Sequence, residues 1–122
     1  MKMVLIGSLA LLIGQGVQAA GDADAGKAVF DKMCGGCHKV GPDARNAFGP
    51  SLNGIIGRPA GQAEGYKYSP SMLNSGITWT PDKLAAFVEA PGDVVPGTNM
   101  RLWWFGGDEK MQNLLSYLQS HP

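Results

Sequence analysis

The sequence predicts a small all-α domain with three main helices and loops rich in glycine and proline. Three stretches carry apolar residues at helical spacing, and residues that cap or stop helices flank them. Residues 41–69 are rich in Gly, Pro and Asn and show no alternation that predicts a strand. So long an irregular segment is unusual in a compact domain, unless the chain packs around another group. No internal repeat or linker divides the chain.

The first predicted helix covers roughly residues 24–34. Asp22 or Asp24 can act as its N-cap, because a carboxylate accepts hydrogen bonds from the unpaired amides of the first turn. Val29, Phe30 and Met33 share one face of this helix. We expect this face to lie in the core.

Two further helices are predicted in the second half of the chain. Thr80-Pro81 opens one of them with a cap and a first-turn proline, and Pro91 stops it. Its apolar residues are Leu84, Phe87 and Val88. The other starts after Asp108, and its apolar residues follow the spacing of a buried stripe: Met111, Leu114, Leu115 and Leu118. A shorter helix is expected around residues 71–75, ending at Gly76.

The N-terminal residues have the pattern of a secretory signal peptide. Lys2 precedes an apolar stretch from Met3 to Ile13 that is too short to span a bilayer comfortably. Val17-Gln18-Ala19 is a small-residue cleavage pattern. We predict that residues 1–19 are removed, with cleavage after Ala20 as a second choice and an uncleaved anchor as the alternative. Residues 20–122 then form one domain in the periplasm.

Cys34-Gly35-Gly36-Cys37-His38 is the attachment signature of a c-type haem. At this spacing two thiols can form thioethers with the two vinyl groups at one porphyrin edge, and the histidine can bind the iron as an axial ligand. A structural zinc site would need two more Cys or His ligands, and the sequence contains only His121 in addition. A thioredoxin-like redox pair is expected in a strand-helix context, and no such pattern precedes Cys34. A disulfide between Cys34 and Cys37 would close a small strained ring and would leave the adjacent His38 unexplained. The prediction is one haem c, bound through Cys34 and Cys37.

This cofactor also accounts for the irregular segment, because loops can wrap a porphyrin instead of packing on one another. A chain of this size has a marginal apolar core of its own, and a large buried macrocycle adds to it. We expect the protein without haem to be largely unfolded. The whole chain has ten basic and ten acidic residues, and removing Lys2 leaves one fewer basic residue. No basic run indicates nucleic acid.

The second axial ligand of the iron decides the function. An open site would bind gases or peroxide, whereas a strong ligand limits the iron to electron transfer. Met33, Met72 and Met111 are less suited, because they lie beside Cys34 or in predicted helices, and His121 is almost terminal. Met100 follows a Pro96-Gly97 turn, which can hold a thioether over a porphyrin face. We predict His38 and Met100 as the axial ligands.

The chain resembles the class I cytochromes c of the mitochondrial and photosynthetic-bacterial type over nearly all of the region after the signal. Several separate motifs carry this resemblance: Gly26 and Phe30; Cys34, Cys37 and His38; Phe48-Gly49-Pro50 with Leu52; Gly57-Arg58; Gly61-Gln62; Tyr66 to Tyr68; Gly76-Ile77-Thr78-Trp79; Pro96-Gly97-Thr98 with Met100; and Leu114 with Tyr117.

The resemblance implies a cytochrome c fold in which the first and last helices cross, with close approach at Gly26. It implies that the Pro50 carbonyl accepts a hydrogen bond from His38 and thereby tunes the iron. It also implies that Tyr68 and Trp79 bind a buried haem propionate, with Arg58 nearby to offset its charge. Tyr68 and Trp79 can serve equally as core aromatic residues.

The function expected from the resemblance is that of a soluble periplasmic electron carrier and not an enzyme. Its partners would be redox proteins: a donor dehydrogenase or cytochrome complex, and an acceptor oxidase or reaction centre. We expect a monomer with no small-molecule substrate. A gas-binding or peroxidatic haem enzyme, and a subunit dedicated to one periplasmic enzyme, are the alternatives.

Two departures from the family pattern concern the docking face. The family usually places lysines around the exposed haem edge, whereas Asn99 precedes the predicted ligand in this chain and few lysines cluster anywhere. The run Trp103-Trp104-Phe105 is also unusually aromatic. If exposed, these rings predict an apolar partner contact; alternatively they shield the haem from water. A lysine-dependent partner is therefore not carried over from the family.

Overall fold

The computed structural model describes residues 21–122, so the predicted signal peptide at 1–19 lies outside the described residues. The described chain contains five helices: α1 Ala23–Met33, α2 Pro70–Leu73, α3 Pro81–Glu89, α4 Pro91–Val94 and α5 Gly107–Gln119. It contains no strand, and its only β-type pairing is one isolated bridge between Pro59 and Thr78. The all-α prediction is confirmed.

Helix α1 packs most extensively against α5, and a glycine permits the close approach. Asp22 caps α1, because its side chain accepts hydrogen bonds from the amides of Asp24 and Ala25. At Gly26 the backbone lies so near the Asn113 carbonyl that an added Cβ would overlap it. The Phe30 and Tyr117 rings are 5.4 Å apart between centroids and continue the same interface. The two ends of the described chain therefore form one half of the core.

Helix α3 begins as predicted at the Thr80-Pro81 pair, and the Thr80 side chain accepts a hydrogen bond from the Lys83 amide. It ends at Glu89, and the chain then forms the short helix α4 from Pro91 to Val94. The prediction that Pro91 only stops a helix was incomplete. Proline lacks an amide hydrogen and has a helical φ, so the residue that ends one helix also suits the first position of the next.

Two other boundaries differ slightly from the predictions. Helix α2 covers Pro70–Leu73 instead of residues 71–75, because the Ser69 hydroxyl accepts the Met72 amide and Pro70 occupies the first turn. Helix α5 begins at Gly107, slightly before the predicted start after Asp108. Gly107 has a φ of +69°, which a glycine adopts without strain. Within residues 21–122, no helix is long and apolar enough to cross a membrane.

The core joins the buried faces of α1, α3 and α5 to three segments of the irregular chain, which contain Ile55, Trp79 and Val95. Leu114 is fully buried and Met111 is 2% exposed, as the apolar stripe of the last helix predicts. The other buried apolar residues are Val29, Phe30, Ile55, Trp79, Leu84, Phe87, Val88, Val95, Leu115 and Leu118. Several of them also border a cavity between the helices and the loops, which contains the predicted site.

Candidate haem site

The two cysteines and the histidine follow directly from the end of α1. Cys34 is the C-cap of that helix, and its carbonyl accepts hydrogen bonds from the amides of Cys37 at 3.1 Å and His38 at 2.9 Å. This single turn brings all three side chains to the wall of one cavity. Both thiols are unpaired; Cys34 is half-buried and Cys37 is exposed. Burial raises the pKa of the Cys34 thiol to about 11.

His38 is oriented by one hydrogen bond and one glycine. Its Nδ1 lies 2.8 Å from the Pro50 carbonyl oxygen, and because a carbonyl only accepts, Nδ1 is the nitrogen that carries the proton. Nε2 is then free to bind a metal. The Gly49 backbone lies against the imidazole so closely that a Cβ there would overlap the ring. Burial lowers the pKa of His38, the hydrogen bond to Pro50 raises it, and the Arg58 charge lowers it. The net change in the pKa is downward, which favours the neutral imidazole that a metal requires.

Met100 lines the same cavity but comes from the loop between α4 and α5. Gly97 has a φ of +87° and turns this loop, after which the Thr98 hydroxyl accepts the Met100 amide at 3.2 Å. The Thr98 amide in turn donates to the carbonyl of Val95, a core residue that is 2% exposed. The Met100 segment is thus anchored to the core just before the thioether.

Two other methionines, Met33 and Met72, also line this cavity. Met111 does not line it and lies in the core. His121 does not line it either: its ring lies 4.7 Å from the Tyr117 ring, and its carbonyl accepts the Gly54 amide at 2.8 Å. The structure therefore brings His38 together with three methionines, of which only Met100 lies outside a helix or its end.

Arg58 also lines the cavity and is held there by backbone carbonyls. Its guanidinium donates to the carbonyls of Asn53 at 2.9 Å and Ser51 at 3.1 Å. The remaining nitrogen, Nε, is buried and has no partner. A half-buried cation whose Nε is buried and unpaired is a poor arrangement unless an acceptor is bound nearby. The site is therefore suited to a bound carboxylate group.

Trp79 and Tyr68 line the cavity beside Arg58. The Trp79 amide donates to the Arg58 carbonyl at 3.0 Å, which places the two residues next to each other. Trp79 is 4% exposed, and its ring lies 4.9 Å from that of Phe87. The Tyr68 hydroxyl accepts the Ala63 amide at 2.9 Å, and its own hydrogen remains available for donation.

The cavity has a volume of about 370 Å³ and is lined mainly by apolar side chains. Its features fit a porphyrin: paired thiols at one wall, an imidazole held in the metal-binding tautomer, a thioether, and an unpaired cationic donor for a propionate. A second, more open depression that Arg58 also lines is bordered by neither cysteine nor by His38. Among residues 21–122, no cluster of three or more His, Cys, Asp or Glu side chains could bind a metal ion, so the zinc alternative has no ligand set there.

One positioning residue was missed at the sequence level. Asn46 joins two loops, because its side-chain amide donates to the Glu64 carbonyl at 2.8 Å while its oxygen accepts the Ser51 amide at 2.9 Å. It thereby fixes the Ser51 segment that holds Arg58. An asparagine in a loop rich in Gly and Pro is an ordinary turn residue, so no sequence signal distinguishes this one.

A helical domain that surrounds an apolar cavity with a Cys-x-x-Cys-His turn defines a c-type cytochrome. The cytochrome c family model matches residues 23–122, and the chain belongs to this family. The chain is 48% identical over 99 residues to cytochrome c2 of Rhodoblastus acidophilus, covering 81% of this chain and 92% of that protein. It is 38% identical over 119 residues to cytochrome c2 of Blastochloris viridis, and this match covers 98% of this chain and 93% of that protein.

The fold is similar to that of cytochrome cH from Methylobacterium extorquens. The TM-score is 0.75 with 35% identity, and the match covers 82% of this chain and 99% of the solved one. The predictions of a class I cytochrome c, of its fold and of covalently bound haem c are confirmed. The protein is an electron carrier and not an enzyme, and it exchanges electrons with redox partners.

Proposed function

We propose that this protein is a soluble periplasmic carrier in which His38 and Met100 are the two axial ligands of haem c. Haem c supplies one iron that alternates between the ferrous and ferric states. The observation that carries the proposal is that both residues line one cavity while coming from separate segments. With both axial positions filled by protein, the iron would have no site for gases or peroxide.

The chain's own residues would keep the coordination constant between the two redox states. The Pro50 carbonyl holds the His38 imidazole in one orientation, and a hydrogen bond of this kind raises the basicity of a ligating histidine. In the segment that carries Met100, the Thr98 hydroxyl accepts the Met100 amide, and the Thr98 amide donates to the carbonyl of the buried Val95. These two bonds hold the Met100 backbone in place. Little reorganisation of these groups is needed when an electron is gained or lost.

Arg58, Tyr68 and Trp79 would bind one haem propionate. The unpaired, buried Nε of Arg58 supports this assignment, because a carboxylate would complete its hydrogen bonding and offset its charge. The adjacent positions of Trp79 and Arg58 support it as well. Cys34 and Cys37 would form the thioethers, consistent with their unpaired thiols at the cavity wall.

The absorption spectrum of the oxidised holoprotein tests the axial ligands. Sulfur ligation to ferric haem gives a weak near-infrared band, which we expect in the wild-type protein. Met100→Ala should abolish this band, whereas Met72→Ala, which removes another methionine of the same cavity, should keep it. Loss of the band in Met72→Ala alone would contradict the assignment. Carbon monoxide binding to the reduced wild-type protein at neutral pH would favour the gas-binding alternative.

We also propose that residues 1–19 direct export and are removed. The apolar stretch and the Val17-Gln18-Ala19 pattern support this. The partners would then be a donor dehydrogenase or cytochrome complex and an acceptor oxidase or reaction centre. N-terminal sequencing of the protein from a periplasmic fraction should begin at residue 20. A membrane-bound protein that starts at Met1 would contradict cleavage.

A further inference from the structure

Two large aromatic side chains after Met100 project into solvent. Trp103 is 81% exposed and Phe105 is 83% exposed. Leu102, which precedes Trp103, and Trp104, which lies between the two exposed residues, are half-buried and pack against the core. Successive side chains therefore point alternately toward the core and toward solvent, as in an extended chain. We call Trp103 and Phe105 the aromatic patch. Neighbouring exposed aromatic rings are uncommon on the surface of a monomer and are typical of an interaction site.

The backbone that carries the aromatic patch is held in place from the core side. At Gly106 an added Cβ would overlap the Trp104 indole, so the chain lies directly against that ring. The Trp104 Nε1 is buried, and Gly107 then turns the chain into α5 with a φ of +69°. The two exposed rings are therefore presented from a fixed segment. Rigid presentation lowers the entropy lost when a partner binds.

The aromatic patch adjoins the edge of the haem cavity without belonging to it. Met100, Arg101 and Leu102 line the cavity, and the patch starts at the next residue. Trp103 and Phe105 are not among the lining residues, so cofactor binding inside the cavity does not account for their exposure. A protein that covered the patch would approach the cofactor closely, as electron transfer requires.

The charges around the aromatic patch do not support electrostatic docking. Arg101 is the only charged residue between positions 94 and 107, and Asp108, Glu109 and Lys110 follow at the start of α5. This segment therefore offers little positive charge to an acidic partner surface. The main favourable contribution to the free energy of docking would be the removal of the two aromatic rings from water.

We propose that the aromatic patch is the docking surface for a redox-partner protein that presents an apolar, uncharged pocket beside its own redox centre. Trp103 and Phe105 enter that pocket, and the binding energy comes from burying the two rings. The continuity of the patch with the cavity edge favours a redox partner over a second copy of this chain. The inference uses the electron-carrier function and is independent of the identity of the sixth ligand.

The test measures electron transfer from the reduced holoprotein to the organism's own washed membranes and, separately, to its periplasmic extract. The double variant Trp103→Ala/Phe105→Ala should lower the second-order rate with one of these acceptors by about tenfold, the loss of roughly 1.4 kcal/mol of docking energy. Leu73→Ala removes an exposed apolar side chain on α2, outside the cavity lining, and should keep the wild-type rate. The wild-type rate should change less than about twofold between about 20 and about 200 mM salt.

Two controls separate docking from damage to the site. All variants should react with hexacyanoferrate at the wild-type rate, because this small oxidant needs no protein docking surface. The conservative variant Trp103→Phe/Phe105→Leu should recover most of the rate, since it restores apolar area. Unchanged rates in the double alanine variant with both acceptors would overturn the proposal, as would a steep fall of the wild-type rate with salt. A wild-type dimer that the double variant dissociates would assign the patch to self-association instead.

Discussion

His38 shows how single residues prepare this site for a metal. The Pro50 carbonyl fixes the tautomer, burial and Arg58 favour the neutral ring, and Gly49 leaves the space that the imidazole occupies. The contribution of Gly49 is steric: its backbone has an ordinary φ, but any side chain at this position meets the ring. The orientation of His38, the proposed axial ligand, thus depends on the lack of a Cβ atom at Gly49.

Replacing Gly49 with alanine should displace the imidazole and weaken the holoprotein. We expect the free energy of unfolding to fall by about 1–3 kcal/mol, the usual cost of forcing extra volume into a packed site. The visible absorption of the holoprotein should also change, because the displaced ring alters ligation. Gly92→Ala in α4 is the control outside the site, since a Cβ at Gly92 meets nothing within 4 Å. Equal effects of the two substitutions in denaturant titrations would contradict the steric explanation.

At the residue scale, the sequence points to candidate site residues where the side-chain chemistry is specific, but it does not identify the backbone groups that position them. Cys34, Cys37 and His38 form a motif that few other functions require. The carbonyls of Ser51 and Asn53, which hold Arg58, have no sequence signature, because every residue has a carbonyl. Only the folded loop shows which carbonyls meet the guanidinium.

At the element scale, the contact between α1 and α5 is the main helix–helix interface of the described chain. Gly26 and the Asn113 backbone approach closely, and the Asp22 amide donates to the Asn113 side chain at 2.9 Å. The Phe30 and Tyr117 rings complete the interface. One small residue therefore sets the distance between the two helices.

Substituting Gly26 with alanine should separate these helices. The added Cβ would meet the main-chain carbonyl of Asn113, which cannot rotate away as a flexible side chain could. We expect the free energy of unfolding to fall by about 2–3 kcal/mol in denaturant titrations. Gly92→Ala, at an exposed position of α4 where a Cβ meets nothing within 4 Å, should change it by less than about 0.5 kcal/mol. A neutral Gly26→Ala would show that the helices can shift without cost.

The helices themselves followed from local signals, and the exceptions have local causes. The cap at Asp22, the Thr80-Pro81 start and the apolar stripe of α5 were sufficient to predict three helices. Helix α4 was missed because Pro91 was interpreted only as the end of α3, and the four residues that begin with it show no periodic pattern. The opposite exposure of Trp103 and Trp104 was also beyond prediction, since an irregular segment has no fixed period.

At the scale of the whole molecule, the core is organised around the cavity. Residues from α3 and α5 that are buried in the core, including Leu84, Phe87 and Leu114, also line the cavity. The loops contribute Ile55 and Leu52 to this core and are joined further by side-chain hydrogen bonds such as those of Asn46. The polypeptide core and the cofactor site therefore share residues, and the stability of each depends on the other.

Preventing haem attachment should unfold the protein. The double variant Cys34→Ala/Cys37→Ala, prepared without haem, should lose more than about half of the helical circular dichroism of the holoprotein, because the apolar lining would face water. It should also show no cooperative transition in urea. The wild-type holoprotein under the same conditions is the reference. A cooperative transition in the double variant would show that the polypeptide core suffices alone.

Because the chain is synthesised from its N-terminus, the contact between α1 and α5 can form only late in synthesis. The Asp22–Asn113 bond joins residues 91 positions apart, so α1 waits for its packing partner until nearly all of the polypeptide has been made. Throughout that interval α1 has no partner helix, so the two cysteines at its end lie in a chain that is not yet folded, whereas Cys34 is half-buried in the folded domain. Because we expect the chain to remain largely unfolded until haem is bound, haem attachment to these thiols can precede the contact between α1 and α5.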